Sequence, residues 1–355
     1  MSEDTFQKRL RIIDDAKEED WFLCIHAPKR IRVSSGSAIV LELLRGKSDA
    51  MPTTAYLLTY RKGKCIANCR FCPQARESSG RADMLSRVSW PIFSTRDVLV
   101  GIEKAVRNSA IKRVCLQALS YPKVFAHLSA LINAIYSRTK VPISVSCQPL
   151  NRESIRLLSE AGAERIGISL DAGTKELFDK VKGRSARCPY RWEKELELLG
   201  EALNIFGNGM VTTHLIVGLG ETEKEMIEII QRCADMDVLP ALFAFTPIPG
   251  TALENNPPPA VPQYRRVQLA RHLIVNGLAT RKDMCFNEES SVMDFDVEKE
   301  TLINIVQTGE PFLTSGCPNC NRPYYNESPS GPIYNYPRKL TEEEILNITK
   351  RLSLE

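Results

Sequence analysis

From residue 53 onward, short runs rich in β-branched and aromatic residues alternate with stretches whose apolar positions recur every three or four residues. The strand-like runs are TTAYLLTY (53–60), KRVCLQAL (112–119), VPISVSC (141–147), RIGISL (165–170), MVTTHLIVG (210–218) and ALFAFTP (241–247), followed by two weaker ones, RKDMCF (281–286) and PFLTS (311–315). Between them lie helical patterns. In NRESIRLLSEAG (151–162), Asn151 is a candidate N-cap and Ile155, Leu158 and Ala161 fall on one face. TEKEMIEIIQRCADM and YRRVQLARHLIVNG read the same way. Strand then helix, about eight times over, predicts a parallel sheet closed as a TIM-type (β/α)8 barrel. Because the last two strands are weak, a partial (β/α)6 barrel is the alternative, and a doubly wound open sheet ranks third. Residues 1–50 read as an N-terminal helical extension followed by an irregular segment, 51–315 as the barrel, and 316–355 as a Pro-, Asn- and Tyr-rich tail ending in a helix.

Composition narrows the class. The chain has 355 residues, 43% apolar and 25% charged, with a formal net charge of +4. That charge is too small to imply a nucleic-acid partner. No run of about 18 uncharged apolar residues predicts a membrane span, and the charged, amphipathic N-terminus lacks the apolar core of a signal peptide. A cytoplasmic location is therefore expected. In a reducing compartment, eleven cysteines are unsuited to a disulfide framework, and clustered ones point to metal or chemistry.

Three of them crowd into GKCIANCRFCPQ (63–74), directly after the first strand, at the catalytic end of either barrel. A tetrahedral structural zinc asks for four ligands from two knuckles. Cys65, Cys69 and Cys72, spaced by four and three, suit instead a cubane [4Fe–4S] cluster with one iron left for a small molecule. Three apolar cysteines, or a fragment of a zinc site, are the bland alternatives.

The loop CIANCRFC resembles the CxxxCxxC motif of the radical S-adenosylmethionine (SAM) superfamily, including an aromatic, Phe71, before the last cysteine. The resemblance implies that SAM chelates the free iron through its amino and carboxylate groups. It also implies that an electron from the reduced cluster splits SAM to a 5′-deoxyadenosyl radical, which abstracts a hydrogen atom from substrate. SEAGAERIGISLDAGTKELFDKV (159–181) and TTHLIVGLGETEKE (212–225) are similar to stretches of biotin synthase and its relatives, and TPIPGT (246–251) matches that family's sixth-strand end. The family places ribose contacts at positions matched here by Ser169 and Asp171; the plainer reading of Asp171 is a helix cap. Gly218 and Gly220 would let the backbone approach the adenine, or simply make a tight turn. Where relatives often carry a GGE-like stretch for the SAM amino group, this chain reads LQALSYP, so Gln117 or a backbone carbonyl is expected to substitute.

A second cysteine set follows. Cys317 and Cys320 form a CxxC after the eighth strand candidate, and Cys285 ends the seventh. On a closed barrel these three would converge over the same face as the first loop and hold an auxiliary [4Fe–4S] cluster; a structural zinc or a redox pair are the alternatives. Cys24, Cys115, Cys147 or a serine oxygen are candidates for a fourth ligand, although Cys115 and Cys147 also read as inward barrel filler. Cys188 and Cys233 carry no signal. The four histidines are scattered; His214, on the fifth strand, could face substrate but is not taken as a site residue. Arg322, Tyr324, Tyr325 and Glu327 would close over the site, bind a carrier, or form a packed surface loop.

The tail CPNCNRPYYNESPSGPIYN looks like that of one subunit of the two-component lipoyl synthases of archaea and some bacteria. The resemblance implies sulfur insertion into an octanoyl chain on a lysine of a lipoyl carrier domain, with the auxiliary cluster as sulfur donor. It also implies a second synthase subunit and an electron-donor protein as partners. A biotin synthase-like enzyme, a methylornithine-type mutase using only the first cluster, and a non-catalytic iron–sulfur or zinc scaffold are the other readings.

Overall fold

The computed structural model describes residues 27–328 and 330–354. Its elements are β1 (Arg30–Val33), α1 (Ser35–Val40), β2 (Thr54–Thr59), β3 (Met84–Leu85), β4 (Val88–Ser89), β5 (Ile92–Ser94), α2 (Thr95–Arg107), β6 (Arg113–Gln117), α3 (Val124–Thr139), β7 (Ile143–Ser146), α4 (Arg152–Glu160), β8 (Arg165–Gly167), α5 (Lys175–Val181), α6 (Trp192–Phe206), β9 (Val211–Val217), α7 (Glu223–Asp235), β10 (Leu239–Ala244), α8 (Val261–Val275), β11 (Cys285–Phe286), β12 (Val292–Asp294), α9 (Lys299–Thr308) and α10 (Glu342–Arg351).

One sheet organises the chain. Its order is β10-β9-β8-β7-β6-β2-β1-β5, with the first six strands parallel and β1 and β5 added antiparallel. The six strong strand candidates are those six parallel strands. Burial explains why they were legible: β2 is buried at every position, as a strand covered on both faces should be. Asn151 caps α4 as expected, its side chain accepting from Ser154 N at 3.0 Å.

The two weak candidates do not join the sheet, so the barrel is the partial six-stranded one and the eight-stranded closure is not formed. Residues 285–286 pair only with β12 in a separate hairpin, and 310–312 form a 3₁₀ turn. The open side is filled by irregular chain. Ser315 Oγ accepts from Leu242 N of β10 at 2.8 Å, and Thr246 Oγ1 donates to Asn326 O at 3.0 Å. On the other flank, Thr53 N donates to Asn321 Oδ1 at 3.1 Å, Thr54 Oγ1 to Asn319 O at 3.0 Å, and Arg322 N to Tyr56 Oη at 2.8 Å. The tail therefore belongs to the barrel rather than following it. The head differs from expectation too: within 27–50, β1 extends the sheet. The predicted helix before it, with Cys24 and His26, lies outside the described residues.

A continuous apolar core runs from the sheet to the surrounding helices, with Leu57, Val114, Leu116, Ile143, Ile166 and Leu215 fully buried. No helix among the described residues is long and apolar enough to cross a membrane.

Candidate functional site

The loop after β2 is tied down before any cofactor is considered. Lys64 Nζ donates to the carbonyls of Pro73 at 2.9 Å and Gly80 at 2.7 Å, and also to that of Ser78. Cys65 N donates to Gln74 O at 2.9 Å and Arg76 N to Ala67 O at 2.8 Å. Gln74, fully buried, donates through its amide to Ala82 O and Met84 O at 2.7 and 2.6 Å. Ser79 N and Ser78 Oγ both donate to Gly250 O, which fastens the loop to the TPIPGT turn beyond β10. This frame presents Cys65, Cys69 and Cys72, all unpaired, to a cavity of ≈ 270 Å³ at the C-terminal mouth of the barrel. Phe71 lines the same cavity. Burial pushes the Cys72 thiol up to about 12, and the Cys188 sulfur together with burial raises Cys69 well above its ordinary value. Among the described residues no three such side chains converge on a single point. The loop thiols border the cavity, and cysteine thiolates are the ligand type that iron–sulfur clusters take.

The fourth-strand residues come together as expected, with one addition. Ser169 and Asp171 both line the cavity. Ser169 Oγ lies 2.9 Å from His214 Nδ1, which brings the fifth-strand histidine into the site. Burial, with Arg322 adding repulsion, lowers His214 to about 3, so it is a neutral imidazole. Asp171 has φ 65°, a left-handed backbone that asparagine and aspartate tolerate best. It does not cap the next helix: Thr174 does, accepting from Leu177 N at 3.1 Å. Its carboxylate pairs with Lys182 Nζ at 2.6 Å, and Lys182 also donates to Ser169 O. Burial alone would lower Lys182, but Asp171 and the neighbouring Cys69 outweigh it and hold the ammonium above its ordinary value.

Three expected contacts are placed differently. Gln117 reaches the cavity, but its amide oxygen accepts from Tyr325 Oη at 2.9 Å, so it fixes the tail. Gly218 and Gly220 do not border the cavity. They have φ 101° and 129° and form a tight turn in which Gly218 N and Leu219 N donate to the Glu221 carboxylate at 2.6 and 3.1 Å. A Cβ on Gly218 would stand 2.8 Å from Pro259, so close packing also demands glycine there.

The second cysteine set is assembled from different members. Cys285 is exposed on the β11–β12 hairpin and does not line the cavity. Without a seventh strand in the sheet, nothing carries it to the barrel interior. Cys115 takes its place: Cys115, Cys317 and Cys320 all border the cavity. Burial first, then those two neighbours, holds Cys115 well above its ordinary value. Ser144 Oγ donates to Cys317 Sγ at 3.3 Å, and Tyr56 Oη lies 3.4 Å from Cys320 Sγ. Nor is this set above the same face as the first. Arg113, which begins β6, donates to Pro318 O at 3.0 Å, and Thr54, which begins β2, donates to Asn319 O. The CPNC turn therefore plugs the N-terminal end of the barrel, opposite the first loop. Cys147 is buried in the core, as the filler reading expects. Tyr325 and Arg322 close the cavity wall, with Arg322 stacked 3.8 Å over the Phe243 ring. Tyr324 donates outward to Asp49, and Glu327 is buried against Asn335, accepting from its backbone and amide nitrogens at 2.9 and 3.1 Å.

Sequence reasoning missed Lys182, Cys188 and Glu195. Lys182 directly follows α5 and belongs to no motif. Its spacing of four from the buried Phe178 was the available signal, because that places both on the inward face. Cys188 arrives through chain crossing: Asn68 N donates to its sulfur at 3.0 Å and Asn68 Nδ2 to Ala186 O at 3.0 Å. Glu195 sits inside α6, where an acidic residue ordinarily means solvent; here burial raises it to about 7.

A parallel partial barrel, three thiols on the loop after its first parallel strand, and an acidic residue at the fourth strand end form one pattern, and residues 61–233 match the profile of the Radical SAM superfamily. Residues 61–233 form a radical SAM domain. Among curated proteins, a biotin synthase of Hydrogenobaculum sp. is 23% identical over 73% of this chain and 75% of its own length, and one from Persephonella marina is 22% identical over 73% and 74%. Among solved structures, the FeFe-hydrogenase maturase HydG from Carboxydothermus hydrogenoformans aligns at 18% identity and TM-score 0.48 over 68% of this chain, which spans 55% of that protein. Methylornithine synthase (PylB) aligns at 13% identity and TM-score 0.47 over 74% of this chain and 83% of its own. The radical SAM domain implies a [4Fe–4S] cluster and SAM, and the loop thiols with the adjoining Asp171–Lys182 pair are a donor set that fits them.

Proposed function

We propose that this radical SAM enzyme inserts sulfur into an octanoyl chain amide-linked to a lysine of a lipoyl carrier domain, as one subunit of a two-component lipoyl synthase. The observation that carries the reading is the second thiol set. Cys115, Cys317 and Cys320 line the same cavity as Cys65, Cys69 and Cys72, from the opposite end of the barrel. A substrate chain lying between them would have a site of hydrogen abstraction above and a sulfur source below. The first loop would hold the SAM-binding cluster, and the second set an auxiliary cluster. When bound, these groups supply a one-electron cleavage of SAM and transferable sulfide.

The chain's own residues supply binding and exclusion of water. Asp171 offers acceptors for ribose hydroxyls, with Ser169 beside it, and Lys182 offers an ammonium for a carboxylate. Neutral His214 is held by Ser169 and faces the cavity without adding charge. Tyr325, packed edge-on against Trp90 and Phe243, gives the interior an apolar wall suited to a hydrocarbon chain. The test is anaerobic incubation with an octanoyl-lysine peptide, SAM and reductant, read by mass spectrometry. The reading expects a gain of sulfur on the octanoyl group; no gain, with and without the second subunit, contradicts it.

A further inference from the structure

Three buried polar atoms on residues lining the central cavity have no hydrogen-bond partner among the described residues: Gln74 Oε1, Gln148 Oε1 and Arg322 Nε. They divide by position. Gln74 lies two residues beyond Cys72, in the loop that would hold the first cluster. Arg322 lies against Cys320 of the second thiol set. Gln148 belongs to neither set, and none of the chemistry described above uses it.

Its neighbours fix its orientation. Ser144, Ser146 and Gln148 alternate inward along β7 and its continuation: Ser144 donates to Cys317 Sγ, and the other two line the cavity. Gln148 Nε2 donates to Ser169 O at 3.0 Å. A backbone carbonyl only accepts, so this bond decides which end of the side-chain amide is nitrogen. Oε1 is left as an acceptor, and the group that fits it must bring a hydrogen. The charges that share Ser169 with Gln148 cancel. Lys182 also donates to Ser169 O but is paired with Asp171, and His214, bound to Ser169 Oγ, is neutral. A neutral donor therefore fits here better than an ammonium, and ribose hydroxyls have a stronger acceptor in the Asp171 carboxylate. Depth agrees. Cys115 is in register with Ser144, and Gln148 stands four residues nearer the mouth, about 13 Å at the rise of a parallel strand. An extended amide-linked octanoyl chain can span that distance, with its methyl end toward the lower thiols and its amide beside Gln148.

We infer that Gln148 reads the linkage of the substrate: its Oε1 accepts the N–H of the acylated lysine, so the site takes an acyl amide and rejects an oxygen ester or thioester of the same chain. The inference rests on the lipoyl reading for the identity of the acyl group and adds the residue that recognises how that group is attached. An ester or thioester has no N–H to give. It would leave Oε1 buried and unpaired, which is the arrangement by which a site discriminates most sharply against an analogue lacking one donor.

The test uses the anaerobically reconstituted full chain with SAM and no reductant, so that ligands bind without turnover. Two peptides are compared by calorimetry. One carries an octanoylated lysine; in the other an oxygen replaces the lysine side-chain nitrogen, so the same chain is held as an ester. Wild type is expected to bind the amide about tenfold or more tightly than the ester. Q148M keeps the length of the side chain without its acceptor, and is expected to bind both peptides with the affinity wild type has for the ester. Iron content and the SAM dissociation constant are expected to match in the two proteins. Equal binding of amide and ester by wild type overturns the inference without recourse to any variant, as does failure of wild type to bind the amide. An amide preference that survives in Q148M overturns it as well. Weaker SAM binding or lost iron in Q148M also overturns it, because the oxygen would then serve the nucleotide or the cluster. The lipoyl reading fails separately: an amide preference that Q148M abolishes, with no sulfur gained on the octanoyl group once reductant is added, removes that reading and leaves Gln148 as the amide's acceptor.

Discussion

Lys182 and Asp171 are the residues on which the upper site depends most. Both are buried, and each is the other's counter-charge at 2.6 Å. Removing one partner of such a pair leaves an uncompensated buried charge, which costs about 3 kcal/mol or more. Lys182→Met should therefore lower the thermal stability of the cluster-free protein strongly. The K182M/D171N double variant should recover much of the loss, as a double-mutant cycle would report. Glu195 gives a pH signature. Burial raises its carboxyl from 4.5 to about 7 in the folded protein. Between those values the folded chain keeps a proton that the unfolded chain has released, so stability falls as pH rises through that window. Glu195→Gln cannot ionise. Its melting temperature relative to wild type should rise between about pH 5 and pH 8, read by calorimetry. His214 acts in the opposite sense. Lowered from 6.5 to about 3, it stays neutral when folded, so its contribution is lost as pH falls below 6.5.

At the scale of elements, the join between the TPIPGT turn and the cysteine loop holds the site's shape. Gly250 has φ 80°, and a Cβ there would lie 2.2 Å from Gly80 N, a backbone atom. Gly277, just past the end of α8, has φ 67° and open space around it. Gly250→Ala should cost about 2 kcal/mol or more and loosen iron binding, whereas Gly277→Ala should cost only about 1 kcal/mol and leave iron content unchanged. Hydrogen exchange at residues 78–80 should rise in the first variant alone. The six parallel strands and the cysteine loop were legible because both are local signals: a fully buried strand is a continuous apolar run, and three cysteines in eight positions need no tertiary context. Arg281 to Phe286 and Pro311 to Ser315 misled for the same reason. Each has only about three apolar residues in a row, Met284 to Phe286 and Pro311 to Leu313, and only tertiary context shows that β11 pairs with β12 and that 310–312 turn as a 3₁₀ segment. The pairing of Cys115 with Cys317 and Cys320 was out of reach, since it depends on the tail threading to the far end of the barrel. Cys188 beside Cys69 is a contact across 119 positions that no spacing encodes.

The whole molecule is a partial barrel stoppered by its own tail. Residues 315–326 bridge β10 and β2 where two further strands would stand, seal the lower end with the CPNC turn, and place Tyr325 against Gln117 near the mouth. Two thiol sets face one cavity, and we propose that each holds its own iron–sulfur cluster. The most direct measurement is iron and acid-labile sulfide per chain in anaerobically reconstituted wild type, C115A/C317A/C320A and C285A. About eight irons are expected in wild type, about four in the triple variant and about eight in C285A. Four in all three, or a fall in C285A with none in the triple variant, would contradict it.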